Sequence, residues 1–190
     1  MKVITISAKA QHGKDYTANV LKEKLEDMGY STLVCHYADL LKYICRQFFD
    51  WNGEKDEYGR SLLQHVGTEG VRSQKPDYWV DFIIDIINFF PSEWDYVIIP
   101  DTRFPNEIEK MKENFSSIAV RVTRPNFENS LTEEQRQHLS EVALDGYNFD
   151  YEINNDGTPE GMKREVGEFI EYLLSNDGKK KRIKDVKDSL

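Results

Sequence analysis

The sequence predicts an α/β fold in which about five parallel strands form a sheet with helices on both faces. Two observations lead to this fold class. Short apolar runs alternate with segments of helical periodicity along the 190 residues, as they do in chains that build parallel sheets. The first apolar run also leads through a glycine and a lysine directly into a helical pattern, which is typical of a strand-loop-helix unit.

The predicted strands are aliphatic or β-branched runs bounded by turn residues. They cover Val3–Ser7, Thr32–Tyr37, Tyr96–Pro100, Ser117–Val122 and Tyr151–Ile153. Helical segments separate these runs along the chain. This spacing favours parallel strands, because neighbouring parallel strands need a long crossover connection.

The first two predicted helices each have one apolar side. The first follows Lys14 and ends at Gly29, a residue type that commonly terminates helices. Its apolar positions are Val20, Leu21, Leu25 and Met28. The second begins with Asp39 as its N-cap. Its apolar positions are Leu40, Leu41, Ile44, Cys45, Phe48 and Phe49.

Three later helices complete the expected layers. The helix from about Tyr78 to Phe90 is apolar nearly all round, which predicts packing on several sides. Another opens after Phe104, with Pro105 in its first turn. The last opens at Thr158-Pro159. Its apolar positions are Met162, Val166, Phe169, Ile170, Leu173 and Leu174.

The composition restricts the partners that we expect. With 34 acidic and 25 basic side chains the net charge is -9, which argues against a protein that coats a nucleic acid polymer. No apolar stretch reaches 18 residues and no signal-peptide pattern is visible, so we expect a soluble, cytoplasmic protein without membrane contact. Cys35 and Cys45 lack metal-ligand spacing and are interpreted as core thiols.

The segment between the first strand and the first helix has the layout of a phosphate-binding loop. In the standard form, G-x-x-x-x-G-K-S/T, backbone amides surround the phosphates and the lysine reaches the β- and γ-phosphates. Gly13 and Lys14 fit this form, whereas Ala8 replaces the first glycine and Asp15 replaces the hydroxyl residue. An ordinary strand-to-helix turn is the alternative interpretation of Gly13-Lys14.

A second candidate site follows the predicted strand Tyr96–Pro100. Ligands in open α/β folds bind at the carboxyl edge of the sheet, where Asp101 follows this strand. Asp101 is therefore a candidate for positioning magnesium, directly or through water, and Arg103 is expected to point into the same crevice. A solvated strand end would have the same sequence.

Arginines are dense in the segments between strands. They include Arg60, Arg72, Arg121, Arg124 and Arg136. Guanidinium groups match the oxygens of a phosphoryl group with paired hydrogen bonds, although each arginine taken singly also suits a surface ion pair. Arg136 lies in a predicted short helix whose entry, Thr132 to Gln135, is a capping box, in an insertion of the kind that forms closing lids.

Several ordered segments resemble the bacteriophage and bacterial deoxynucleoside monophosphate kinases, a branch of the P-loop nucleoside-monophosphate-kinase-like fold. The segments are G-K-D (13–15), A-D-L-L-K (38–42), L-L-Q-x-x-G-T-E (62–69), P-D-Y-W-V (76–80), D-T-R-F-P-N-E (101–107) and H-L-S-E (138–141). In this family an aspartate commonly follows the loop lysine, so Asp15 suits the resemblance. The family's fold is a three-layer P-loop kinase domain.

The resemblance also implies a domain organisation. It places a single kinase domain at residues 1–178, with an acceptor-binding insertion at about 39–90 and a lid at about 124–141. The basic run that begins at Lys179 is interpreted as a solvated tail over residues 179–190.

For the donor side, the resemblance implies ATP bound by the loop and by the turn after the last strand. The implied ATP-binding residues are Ala10, Gln11, His12, Gly13, Lys14, Asp15, Tyr16 and Asn155. Asp15 and Asp101 would organise Mg²⁺. The implied catalytic residues are Lys14, Arg103, Arg124 and Arg136.

For the acceptor side, the resemblance implies a nucleoside monophosphate held by Arg72 and Arg103. The full implied set is Asp39, Lys42, Gln64, Thr68, Glu69, Arg72, Trp79 and Arg103. Trp79 is also compatible with a purely structural place in the core. His138 is interpreted as a residue that orients the lid. No histidine is needed as a base, because the nucleophile is an ionised phosphate oxygen.

Three functions remain open from the sequence. The first is ATP- and magnesium-dependent phosphorylation of a deoxynucleoside monophosphate, in the host cytoplasm if a phage encodes the protein. The second is a P-loop kinase for another small phosphorylated acceptor, such as a phosphomevalonate kinase. The third is a nucleotide-binding switch without phosphotransferase chemistry. Whether the protein forms a homodimer is left open.

Overall fold

A five-stranded parallel sheet forms the centre of the computed structural model, which describes the backbone of residues 1–187 and the side chains of residues 1–175. The strands are β1 (Lys2–Ala8), β2 (Thr32–Val34), β3 (Tyr96–Ile99), β4 (Ser117–Thr123) and β5 (Tyr151–Asn154). Their order is β2-β3-β1-β4-β5, so β1 pairs with a neighbour on each side. All five predicted strands are confirmed.

Helices cover both faces of this sheet. They are α1 (Lys14–Asp27), α2 (Ala38–Phe48), α3 (Glu57–Gln64), a π-helix (His65–Arg72), α4 (Tyr78–Phe89), α5 (Pro105–Asn114), α6 (Glu133–Gln137), α7 (Leu139–Val142) and α8 (Pro159–Lys187). The predicted basic tail, 179–190, lies outside the described side chains. None of the described helices combines the length and hydrophobicity needed to cross a membrane.

The alternation of side chains along β1 divides the core into two layers. Ile4 and Ile6 belong to a cluster with α1 and α8, which contributes Phe169. Val3 belongs to a cluster on the opposite face, with side chains from α2, α4 and α5. The fold therefore has the three layers that the sequence predicts, and it directs the carboxyl ends of the strands towards one edge.

The second strand and helix differ from the prediction at their junction. β2 ends at Val34 instead of continuing to Tyr37, and α2 begins at Ala38 with Tyr37 in the N-cap position. The prediction of Asp39 as the N-cap is wrong. The carboxylate of Asp101 accepts hydrogen bonds from the backbone N–H groups of Tyr37 and Ala38, so a distant side chain caps this helix instead.

Two predicted apolar surfaces are only partly buried. Phe48 ends α2 with 74% of its surface exposed, so it does not belong to the buried side of that helix. α4 buries Trp79, Ile83 and other residues on one side, whereas Phe89 is exposed. The expectation that α4 packs on several sides is wrong, because one side of it faces solvent.

The stretch from Glu57 to Arg72 is helical throughout, which the sequence did not lead us to predict. Asp56 caps α3 by accepting a hydrogen bond from the N–H of Gly59 at 2.7 Å. The chain then widens into the π-helix, a rare form that occurs frequently at functional sites. Gly67 lies within it, where a Cβ atom would come 2.6 Å from the side chain of Leu41.

Candidate active site

A cavity of about 360 Å³ opens at the carboxyl ends of β1 and β3. Its walls come from the start of α1, the start of α2, the α3–π-helix stretch, the loop after β3 and the region of α6 and α7. The lining contains six basic side chains and four carboxylates, so positive charge is in excess. The basic side chains are Lys14, Lys42, Lys55, Arg60, Arg72 and Arg103. So many cations around one cavity of an acidic protein indicate an anionic ligand.

The loop after β1 has the backbone features expected of a phosphate loop. Gly13 adopts a φ of 95°, which favours glycine, and a Cβ atom there would come 2.6 Å from Nδ2 of Asn155. Asn155 donates from this nitrogen to the carbonyl oxygen of His12 at 2.9 Å, so the turn after β5 supports the loop. Ala8 completes β1 as a buried residue without a positive φ, so its backbone does not require a glycine.

Lys14 and Asp15 open α1 at the rim of the cavity. Nζ of Lys14 lies 2.7 Å from Oδ1 of Asp15. Nε2 of His36 lies 3.6 Å from the same oxygen, and Nδ1 of His36 lies 3.3 Å from Asp39. His36, with a smaller contribution from Lys14, holds the pKa of Asp15 well below its usual range. The carboxylate is therefore ionised at neutral pH.

His36 is a cavity residue that the sequence analysis missed. Its pKa is raised by Asp15 above all, and also by Asp101 and Asp39. The local sequence supplies only Asp39 beside His36, whereas Asp15 and Asp101 reach it from distant segments of the chain.

Asp15 and Asp101 both line the cavity and could ligate magnesium with their carboxylates. Both oxygens of Asp101 already accept a backbone N–H at 3.0 Å, although each keeps a further lone pair. Among the described residues no group of three or more histidine, cysteine or acidic side chains is arranged to hold a metal ion. Two carboxylates still suit Mg²⁺, which is usually bound by one or two of them together with water and substrate phosphates.

Arg72 is held rigidly at the cavity wall. Its Nη2 donates to Oε1 of Glu107 at 2.6 Å, and its guanidinium lies 3.9 Å from the ring centre of Phe104. Glu107 is only 2% exposed and also accepts the backbone N–H groups of Arg103 and Phe104. Burial raises the pKa of Glu107, and the nearby Arg72 opposes this increase. Glu107 thus connects the two arginines that were assigned to the acceptor.

Arg103 lies at the cavity wall between the end of β1 and α7. Its Nη1 donates to Oε1 of Glu141 at 2.6 Å, and the carbonyl oxygens of Ser140 and Ala8 lie 3.4 and 3.5 Å away. The other oxygen of Glu141 accepts the backbone N–H of Ala10 at 3.2 Å. Glu141 is a second cavity residue to which the sequence analysis gave no role of its own, although it lies in the H-L-S-E segment.

Of the remaining residues predicted to bind the acceptor, four line the cavity and two lie outside it. Lys42, Gln64, Thr68 and Trp79 line the cavity. Trp79 is almost fully buried and donates from its indole N–H to the carbonyl oxygen of Gly67 at 3.1 Å, so it also supports the π-helix. Asp39 pairs with Lys42 beside the cavity, whereas Glu69 pairs with His65 on an exposed surface.

Several donor-side and catalytic candidates lie outside the cavity lining. Gln11 has a positive φ of 63°, and its side chain contacts Ser130. Nδ1 of His12 accepts the backbone N–H of Arg124 at 3.1 Å, and burial lowers the pKa of His12, which suits this acceptor role. Tyr16 is exposed at the start of α1.

Arg124 and Arg136 also stand apart from the cavity. The guanidinium of Arg124 lies 4.0 Å from the ring centre of Phe127 and comes close to Gly157, next to the turn that contains Asn155. Arg136 contacts the carbonyl oxygen of Asn129 and lies in α6. The capping box predicted at the entry of that helix is confirmed, since Thr132 and Gln135 exchange both hydrogen bonds.

Lys55 and Arg60 are further cavity residues without an assigned role in the sequence analysis. Neither forms an ion pair with another side chain in the part of the chain whose side chains are described. Burial lowers the pKa of Lys55, and the nearby Lys42 and Lys14 lower it further. The approach of Lys55 to Lys14 and Lys42 is a property of the folded cavity that the local sequence around Lys55 does not reveal.

Comparison with solved structures shows a P-loop kinase fold. The APS kinase CysC of Mycobacterium tuberculosis, in complex with AMPPNP and APS, is 13% identical and superimposes with a TM-score of 0.51, covering 91% of this chain and 97% of that one. The shikimate kinase of Bacteroides thetaiotaomicron is 14% identical with a TM-score of 0.51, covering 90% and 98%.

Similarity in sequence identifies the family more narrowly than similarity in fold. The deoxynucleotide monophosphate kinase of Enterobacteria phage T4 is 30% identical over 125 residues, which are 64% of this chain and 49% of the relative. That of Escherichia phage RB69 is 28% identical over 113 residues, 58% and 44%. The chain thus spans about half the length of these relatives. The model of the deoxynucleotide monophosphate kinase family matches residues 41–166, and the chain belongs to this family.

Proposed function

We propose that this protein transfers the γ-phosphoryl group of ATP to a deoxynucleoside monophosphate in the presence of Mg²⁺. The observation that carries the proposal is the cavity beside Lys14, where six basic side chains and the carboxylates of Asp15 and Asp101 surround one space. Membership of the deoxynucleotide monophosphate kinase family supports the choice of acceptor. The cavity volume is within the range of small-molecule sites.

In the proposed reaction an ionised oxygen of the acceptor monophosphate attacks the γ-phosphorus of ATP. The bond from that phosphorus to the β–γ bridging oxygen breaks, and ADP leaves with the electron pair. The nucleophile carries no proton that must be removed, so the site needs positioning and charge stabilisation instead of a general base. Magnesium, when bound, neutralises charge on the phosphate oxygens.

The protein's own residues divide this work in the proposal. The loop up to Gly13 and Lys14 holds the donor phosphates, while Arg72 and Arg103 hold the acceptor phosphate. The ion pair with Glu107 favours such a role for Arg72, because a guanidinium that is already oriented loses less freedom when it binds. Asp15 and Asp101 hold the magnesium ion.

We also propose the domain organisation that the resemblance implies. Residues 1–178 form one kinase domain, 39–90 bind the acceptor, and 124–141 act as the lid. Leu131 and Gln135 already reach the cavity wall, whereas Arg124 and Arg136 would approach the transferring group only when the lid moves. The position of Arg124 beside Gly157 favours the donor side for this arginine.

A panel of acceptors tests the proposed function. Purified protein is incubated with ATP, Mg²⁺ and, in turn, the four deoxynucleoside monophosphates, the four ribonucleoside monophosphates and phosphomevalonate, and the products are separated by chromatography. We expect a diphosphate product from at least one deoxynucleoside monophosphate. Transfer to phosphomevalonate alone, or to none of these acceptors, would reject the proposal. The Lys14→Ala protein, prepared in the same way, controls for a contaminating kinase.

The metal requirement is a separate prediction. We expect transfer to stop in excess chelator and to return with Mg²⁺, because the site places carboxylates next to the proposed phosphate positions. Asp15→Asn is expected to raise the Mg²⁺ concentration needed for half-maximal activity, measured by magnesium titration at saturating nucleotide. Glu23→Gln, on the same helix but away from the cavity, serves as the matched control. Full activity in chelator would exclude the proposed metal site.

Arg103→Lys is expected to weaken binding of the acceptor specifically. Lysine keeps the positive charge but cannot reproduce a bidentate contact with a phosphate. Because a charge-assisted hydrogen bond contributes about 1.5 to 3 kcal/mol, the KM for the deoxynucleoside monophosphate should rise about tenfold or more. The affinity for ATP alone should change little. Steady-state kinetics and calorimetry of ATP binding measure the two effects.

The exposed Arg164 provides the control for this substitution, since its one ion pair within the described side chains is with Asp156 at 3.7 Å. Arg164→Lys should leave both measurements unchanged. If Arg103→Lys weakened ATP binding as much as acceptor binding, or changed neither, Arg103 would not belong to the acceptor site.

A further inference from the structure

The side chain of Glu141 joins two parts of the candidate active site. One carboxylate oxygen accepts from Nη1 of Arg103 at 2.6 Å, and the other accepts from the backbone N–H of Ala10 in the phosphate loop at 3.2 Å. Glu141 lies on α7, which comes from a distant part of the sequence. A single carboxylate therefore connects the arginine proposed for the acceptor, the loop proposed for the donor and α7.

We propose that Glu141 is a positioning residue that fixes Arg103 for the acceptor phosphate, an inference that rests on the proposed function. All three protein acceptors around the guanidinium lie next to Nη1, namely Glu141, Ser140 and Ala8. Among the described residues, none accepts a hydrogen bond from Nη2 or Nε of Arg103. The edge formed by these two nitrogens is thus left to bind a phosphate in bidentate fashion.

Burial favours the ion pair between Glu141 and Arg103. The side chain of Glu141 is only 9% exposed, and that of Arg103 is 24% exposed. A carboxylate buried to this extent is costly without a charged partner, which keeps the pair together. The pair adds no net charge to the cavity, so attraction of the acceptor depends on the other basic residues. The contribution of Glu141 is the orientation of one guanidinium.

A second contact between the phosphate loop and the segment that contains Glu141 provides a control. Nζ of Lys9 donates to the carbonyl oxygen of Glu141 at 2.7 Å and pairs with Asp145 at 2.5 Å. Asp145 also pairs with Arg121 but not with Arg103. Removing the charge of Asp145 weakens the attachment of this region to the phosphate loop without removing any contact of Arg103.

The test compares Glu141→Gln with Asp145→Asn. The amide of Glu141→Gln leaves one acceptor oxygen for two donors, so Arg103 loses its ionic partner. We expect the KM for the deoxynucleoside monophosphate to rise about tenfold, with the dissociation constant for ATP changed less than twofold. Asp145→Asn should change the acceptor KM less than twofold. An equal rise in both variants would assign Glu141 to general attachment of α7 and overturn the proposal.

A double-mutant cycle with Arg103→Lys gives the decisive measurement. If Glu141 acts through Arg103, adding Glu141→Gln to Arg103→Lys should raise the acceptor KM by less than twofold beyond the single variant. Full multiplication of the two effects would overturn the proposal. Glu141→Asp, which keeps the charge but shortens the reach, is used if Glu141→Gln does not fold, and the melting temperature of every variant is recorded.

Direct binding separates this inference from the proposed function. Calorimetry with each of the four deoxynucleoside monophosphates, without ATP, measures acceptor affinity even if no phosphoryl transfer occurs. Weaker binding by Glu141→Gln in a protein that transfers nothing would uphold the positioning role and reject the kinase activity. Unchanged binding by Glu141→Gln in an active kinase would reject the positioning role alone.

Discussion

Lys14→Ala should lower the turnover number by about 100-fold or more, because removing one charge contact to the transition state of phosphoryl transfer has an effect of this order. Lys14 is placed for such a contact at the first position of α1, next to Asp15 and on the cavity wall. The rate is measured at saturating ATP and acceptor, so that weaker binding does not account for the loss.

The fold should survive this substitution, since the only described ion pair of Lys14 is with its exposed neighbour Asp15. Lys22→Ala is the matched control on the same helix, where Lys22 pairs weakly with Glu26 at 3.8 Å. Its turnover should equal that of the unmodified protein. A Lys14→Ala variant with nearly normal turnover would show that this loop does not hold the transferring phosphate.

Glu107→Ala should lower the free energy of unfolding by about 3 to 5 kcal/mol, the usual effect of removing one member of a buried ion pair. The substitution leaves the guanidinium of Arg72 without its carboxylate. It also removes the acceptor for the backbone N–H groups of Arg103 and Phe104 at the start of α5. Urea unfolding, followed by circular dichroism, measures the change.

Two variants help to interpret this result. Glu113→Ala removes an exposed carboxylate from the same helix and should change the unfolding free energy by less than about 0.5 kcal/mol. Glu107→Gln keeps an acceptor oxygen, so its loss of unfolding free energy should lie between those of Glu107→Ala and Glu113→Ala. A loss below about 1 kcal/mol for Glu107→Ala would mean that the pair with Arg72 contributes little to the folded state.

The sequence predicted the sheet well because its strands are marked locally. Tyr96–Ile99 is apolar on both faces, as a strand buried between two helical layers should be, and Ser117–Thr123 presents Ile118, Val120 and Val122 on one face. Gly13-Lys14 was equally informative. The loop requires a glycine at position 13 because the backbone there has a positive φ and Asn155 packs against it. Thr132 and Gln135 marked α6 through a capping box, which is also a local signal.

The features that the sequence did not predict depend on contacts between distant segments. Asp101 caps α2 from the end of β3, and β2 ends three residues earlier than predicted. The three glycines between Glu57 and Arg72 obscured a continuous helix, because glycine is a poor helix former when it is judged alone. His36 and Lys55 enter the cavity only because the fold brings their segments to the phosphate loop.

The π-helix places a constraint on how this chain can change in length. A π-helical turn closes with a hydrogen bond to the fifth residue along, so it holds more residues than an α-helical turn. Arg72 is its last residue, and its direction towards Glu107 depends on that count. Losing one residue here would restore the tighter turn and rotate Arg72 away from its partner. Residues 65–72 can therefore vary in identity at exposed positions much more readily than in number.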